Sequence, residues 1–175
     1  MKRATDREEK LFLLSGQLDG FRATLFRQTM FAEFELLLHE KVERGESLTG
    51  EALSALYLDL VRTYHAGACE VDERQAVEWA VVPHFHYNFY VYQYATSIAA
   101  SSLFAERILK KEPGALDKYI ALLKSGSSDY PYELVKKAGV DLATPAPYQA
   151  IAARMNSIMD EIEKILAKHQ APSHG

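Results

Sequence analysis

The chain has 175 residues, 48 % of them hydrophobic and 25 % charged, with 20 basic against 24 acidic side chains and a formal net charge of -4. That much apolar material excludes an intrinsically disordered chain, and the slight acidic excess excludes the electrostatic footprint expected for binding phosphate backbones or anionic membranes. Cys69 is the only cysteine, so neither an internal disulfide nor a cysteine-rich zinc cluster can form.

The opening MKRATDREEK mixes charges of both signs and lacks the apolar segment of a secretory signal. No run reaches the roughly 18 apolar residues of a membrane span. These features predict one helical domain over residues 1–175, with 1–10 and 168–175 frayed, working in a reducing cytoplasm with no nucleic-acid or membrane partner.

In chain order, the spacing first predicts a long helix from about Leu18 to Arg44. Its Phe26, Met30, Phe31, Phe34, Leu37 and Leu38 cover an arc wider than one surface stripe needs. Such a helix contacts neighbours on two sides, and an arc left uncovered favours self-association. A second helix runs through Leu53, Leu56, Tyr57, Leu60 and Tyr64, with Ser47 or Thr49 as N-cap and Gly67 as its stop. Asp72 is placed to cap a short helix through Trp79, which ends before Pro83 because the residue preceding proline is pushed out of the α region.

A helix from about Tyr87 to Lys111, stopped at Pro113-Gly114, comes next, followed by a short one near Leu116 to Lys124. Ser125 to Pro131 reads as a loop, and Tyr132 to Ala138 as a turn or two closed by Gly139. The last helix begins just after Pro147, with Ile151, Met155, Ile158, Ile162 and Ile165 on one stripe and Asp160, Glu161 and Lys164 off it. Helical spacing throughout, with no period-two run, predicts an all-α fold.

The densest chemistry lies from Pro83 to Tyr94. On a helix, Tyr87, Tyr90 and Tyr94 share one face with His84 at its start. A phenol has a pKa of about 10 and keeps its proton at neutral pH, which suits hydrogen bonding to a carbonyl oxygen that gains negative charge in acyl chemistry. Tyrosines at this spacing also serve as ordinary core or interface residues with satisfied hydroxyls, and the spacing alone leaves both readings open.

His39-Glu40-Lys41-Val42-Glu43 imitates the H-E-x-x-H zinc helix, but position 43 is glutamate, so the second imidazole is absent. A charged helix end accounts for it. His65 stands alone near a helix terminus, and His169 and His174 lie in the tail. None of them forms a set with metal-ligand spacing.

Three separated runs carry a resemblance: FRQTMFAEFE from Phe26, PHFHYNFYVYQYAT from Pro83, and SGSSDYPYELVKKAGVDL from Ser125. Over about Leu11 to Ala167 the chain resembles the C-terminal part of the oligoendopeptidase F family, related to thimet oligopeptidase. The resemblance implies a helical lobe of a zincin-type oligopeptidase that hydrolyses short peptides. Its zinc ligands, an H-E-x-x-H helix and a later glutamate, belong upstream of the FRQTMFAEFE run. It therefore implies that this chain holds no zinc itself, is inactive alone, and takes as partners short peptides and a separate zinc-bearing N-terminal half.

The resemblance further implies that His84, Tyr87 and Tyr94 donate hydrogen bonds to the peptide and the tetrahedral oxyanion, with Tyr90 as a further substrate contact. It expects tyrosine at position 86 and glycine at 97 and 127, where this chain has His86, Ser97 and Ser127. The alternative implied by the same residues is a stand-alone helical peptide-binding or complementing subunit without catalysis.

Overall fold

The structure is a computed structural model that describes the backbone of residues 6–170 and the side chains of residues 6–167. His174 and the side chain of His169 lie outside that range, as do the outermost parts of both ends read as frayed. Within it every regular element is helical and there is no strand. None of these helices is long and apolar enough to cross a membrane.

The α-helices are α1 (Arg7–Phe21), α2 (Arg27–Glu43), α3 (Gly50–His65), α4 (Tyr92–Leu109), α5 (Ala115–Ser125), α6 (Pro131–Lys137) and α7 (Ala146–Gln170). A π-helical turn, Arg22–Phe26, joins α1 to α2, and two 3₁₀ segments, Glu73–Val81 and Pro83–Tyr87, lie between α3 and α4. The chain forms two compact units, one of residues 23–95 and one of residues 1–22 with 96–175.

In the 23–95 unit, α2 packs on α3. Met30, Phe31 and Phe34 fall on one side of α2, and Tyr57, Leu60 and Val61 on one side of α3, so that two apolar stripes close on each other. Phe34 meets the Tyr57 ring edge-on at 5.2 Å, and full burial of each such ring contributes ~1.5–3 kcal/mol. Of the two caps offered for α3, Thr49 fills the role, its hydroxyl accepting the Ala52 N–H at 3.2 Å. The helix ends on left-handed Ala66 and Gly67. Asp72 caps the first 3₁₀ segment by accepting the Arg74 N–H at 2.9 Å, and Trp79 and Val82 fold that segment back onto the same core.

The expected helix from Leu18 to Arg44 begins earlier, at Arg7, and is interrupted by the π turn. Asp6 supplies the start, its carboxylate accepting the Glu8 and Glu9 N–H groups at 3.1 and 3.2 Å. The apolar residues Leu11-Phe12-Leu13-Leu14 run consecutively rather than at steps of three and four, and only Leu14 is fully buried, so a periodicity argument does not find the helix.

In the other unit α1 lies against α7. Ile151 and Ile158 of the predicted stripe are fully buried, while Met155, Ile162 and Ile165 are half-buried. A second cluster joins Ala100, Leu103 and Phe104 of α4 to Ala138 and Val140 after α6, with Tyr119 of α5 against Phe104 at 5.4 Å. Gly139 turns the chain there with φ 101°, and its carbonyl accepts a hydrogen bond from Arg107.

Candidate functional site

All four residues singled out from the sequence belong to the 23–95 unit, but not to one helix. The predicted Tyr87–Lys111 helix starts only at Tyr92. Tyr87 closes the Pro83–Tyr87 3₁₀ segment, Tyr90 sits in the connecting turn, and Tyr94 lies in the first turn of α4. Between them Asn88 and Phe89 take left-handed backbone, with φ 47° and 58°. Each such non-glycine residue costs of order 1–2 kcal/mol, and neither can continue a right-handed helix. Tyr87 and Tyr94 are therefore not near-eclipsed on a common face, and a backbone kink rather than helical spacing gathers the tyrosines.

What holds the kink can be read residue by residue. Pro83 starts the 3₁₀ segment and keeps Val82 extended, at φ -92° and ψ 98°. Phe85 drives into the core between Phe31 and Phe34, with ring centroids at 5.8 and 5.3 Å. Val91, on the far side of the kink, is fully buried. At the apex the Phe89 N–H donates to Glu35 Oε1 at 2.8 Å, and the Phe89 ring lies 4.4 Å from that of His39. Glu35 is the one buried charged residue among those described, at 2 % exposure.

Pinned in this way, the segment turns its polar rings together. His84 stacks parallel on Tyr90 with centroids 5.8 Å apart and an interplanar angle of 2°. Tyr94 stands edge-on to both, 5.6 Å from His84 and 5.4 Å from Tyr90. Its Oη lies 3.3 Å from His84 Nε2 and 3.3 Å from Tyr90 Oη, long for hydrogen bonds from a hydroxyl. Tyr87 touches the group only through its ring, 6.0 Å from that of Tyr90, and is 63 % exposed.

The hydrogen bond with Tyr90 is the main cause that raises the Tyr94 phenol above its ordinary value, with desolvation next. Tyr94 therefore keeps its proton at neutral pH. The arrangement is a partly exposed set of phenol and imidazole groups on a rigid apolar base. It can donate to carbonyl oxygens brought to it, because its mutual hydrogen bonds are long and readily exchanged.

No group of three or more His, Cys, Asp or Glu side chains among the described residues is arranged to hold a metal. His39 packs on Phe89, Glu40 lies 3.7 Å from Arg44, and His65 is spent on the Val61 carbonyl at 2.7 Å. These side chains do not converge on one point as a set of zinc ligands would. Glu35 was not singled out from the sequence. Its signal was a carboxylate one residue from Phe34 and four from Phe31, on the buried arc of α2.

Comparison with known proteins agrees with the resemblance noted above. The sequence profile of Peptidase family M3 matches residues 1–154. The chain is 46 % identical over 163 residues to Oligopeptidase PepF of Bacillus subtilis (strain 168), covering 93 % of this chain and 24 % of that protein. It is 41 % identical over 168 residues to an Oligoendopeptidase F homolog of Lactococcus lactis subsp. lactis (strain IL1403), covering 96 % of this chain and 28 % of that one. It also superposes on the crystal structure of oligoendopeptidase-F from Enterococcus faecium with a TM-score of 0.91 at 42 % identity, over 95 % of this chain and 32 % of that one. The chain thus spans about a quarter of the length of the curated relatives it matches.

Proposed function

We propose, from the premise that this chain belongs to Peptidase family M3, that it supplies the peptide-contacting histidine and tyrosines of a zinc oligoendopeptidase acting on short peptides. By itself it holds peptide without cleaving it. The zinc of such an enzyme polarises the scissile carbonyl and activates water. It belongs, in this reading, to a separate zinc-bearing N-terminal half. A cytoplasmic setting completes the proposal.

The observation that carries the reading is the convergence of His84, Tyr90 and Tyr94 about one hydroxyl, Tyr94 Oη, with 3.3 Å to each neighbour. In this reading Tyr94 donates to the peptide carbonyl as it gains charge. His84 and Tyr90 flank that phenol and fix its position, its O–H turning from Tyr90 to the peptide carbonyl, and exposed Tyr87 meets the peptide at the rim. Removing one such donor from an acyl-transfer site costs about 3–4 kcal/mol of barrier.

The test has two arms. A short blocked peptide of glycine, alanine and phenylalanine is titrated into the parent and into Tyr87→Phe and Tyr94→Phe, with weaker binding expected for both variants. A quenched-fluorescent peptide is then incubated with the chain and added zinc, and no turnover is expected. Equal affinity in all three proteins removes the tyrosines from the site, and sustained turnover abolished by a chelator overturns the claim of inactivity.

A second reading is a stand-alone peptide-binding or complementing subunit, for which the same partly exposed rings serve as the peptide contact. Turnover restored by adding a separately expressed H-E-x-x-H half of a relative supports complementation. Peptide binding unaffected by that half supports the stand-alone form.

A further inference from the structure

We infer that Glu35 is a positioning residue whose buried carboxylate fixes the Asn88–Phe89 kink and thereby holds Tyr90 against His84 and Tyr94. The inference rests on the reading that this cluster contacts peptide, but the geometry behind it is independent of any ligand. Glu35 lies on α2, far in sequence from the tyrosines, and is 2 % exposed. A carboxylate is costly to bury unless its oxygens are engaged. Its Oε1 takes the N–H of Phe89 at 2.8 Å, a backbone donor in a left-handed residue that no helix serves.

A charged acceptor makes that bond stronger than a neutral one. Two successive left-handed non-glycine residues persist only where their surroundings over-determine them. The anchors on either side, Phe85 and Val91, are held by apolar packing and do not depend on Glu35. Without the carboxylate, the backbone from His86 to Tyr90 is free to relax while both ends stay in the core. That interval carries Tyr87 and Tyr90. A merely structural glutamate affects overall stability, whereas a positioning one affects tyrosine geometry more than the fold.

The test compares Glu35→Met, which removes the acceptor at similar size, with Glu35→Gln, which keeps a neutral one. In ¹H–¹⁵N spectra the Phe89 amide is expected well downfield in the parent, further upfield in E35Q, and furthest upfield in E35M. Cross-relaxation between the Tyr90 and His84 rings is expected in the parent and E35Q and lost in E35M. Affinity for a short blocked peptide of glycine, alanine and phenylalanine is expected to fall about tenfold in E35M, equivalent to ~1.4 kcal/mol, and to stay within about twofold in E35Q.

A Phe89 amide unmoved in E35M overturns the inference, and so does E35M affinity equal to the parent's while Tyr94→Phe binds weakly. If E35M does not fold, E35Q decides, since a Phe89 resonance identical to the parent's overturns it. A parent that binds no peptide defeats the site reading instead, and the amide and ring signals then judge Glu35 alone.

Discussion

Tyr57 donates its hydroxyl proton to Glu78 Oε2 at 2.7 Å from a ring that is fully buried. The bond ties α3 to the 3₁₀ segment that leads into the site, while Arg27 of α2 pairs with the other oxygen of Glu78. Burial first, then the hydrogen bond and charge of Glu78, hold this phenol well above the ordinary tyrosine range. A group whose folded pKa is raised contributes stability that is complete below its unfolded value and lost as pH rises toward the folded one. Stability should therefore decline above about pH 10, by up to about 1.4 kcal/mol per pH unit from this residue. Tyr57→Phe should flatten the decline, and urea midpoints collected between neutral and strongly alkaline pH test this. Identical slopes in the two proteins would refute it.

Within the site, Tyr90→Phe removes the hydrogen bond that is the main cause of the raised Tyr94 phenol. The Tyr94 titration should move down toward the ordinary value of about 10. It can be followed by ultraviolet phenolate absorbance, with Tyr94→Phe to identify the transition. A Tyr94 transition that stays put in Y90F counts against the hydrogen bond as its cause.

Phe34 is fully buried in its unit and in ring contact with both Tyr57 and Phe85. Phe34→Ala should cost about 3–5 kcal/mol. Because Phe85 directly follows His84, the loss should also loosen the tyrosine cluster. Chemical denaturation measures the first effect, and Tyr90 to His84 cross-relaxation the second. A loss below about 1 kcal/mol would show that the pocket collapses to fill the gap.

In the other unit, Gly139 has φ 101°, and a β-carbon there would lie 3.3 Å from Arg107 Nη1. Gly139→Ala adds strain in a region that L-residues avoid and crowds the guanidinium bonded to its own carbonyl. A destabilisation of about 1–3 kcal/mol is expected, read from thermal and urea unfolding. An unchanged midpoint would mean that the backbone relaxes out of this conformation at no cost.

The helices of this chain were readable from particular residues. Apolar steps of three and four marked α3 and α7, Thr49 and Asp72 announced helix starts, and Pro83 and Gly139 announced ends, because each acts on its own few neighbours. Local signals failed where burial was sparse. The first helix carries its apolar residues as one consecutive run, Leu11 to Leu14, with Phe12 and Leu13 exposed, so no helical spacing marks it.

The candidate site divides along the same line. That His84, Tyr87, Tyr90 and Tyr94 stand close in the chain was visible at once, and the FRQTMFAEFE and PHFHYNFYVYQYAT runs pointed to the family without any coordinates. The left-handed turn at Asn88 and Phe89 was not visible, since neither residue is glycine and the segment otherwise continues a helical pattern. Order along the chain determined which chemistry is present, because composition and spacing are properties of neighbours. Tertiary structure alone decided how the rings meet, because the bond that secures the turn comes from Glu35, 54 positions away from Phe89, and no local pattern encodes a partner at that distance.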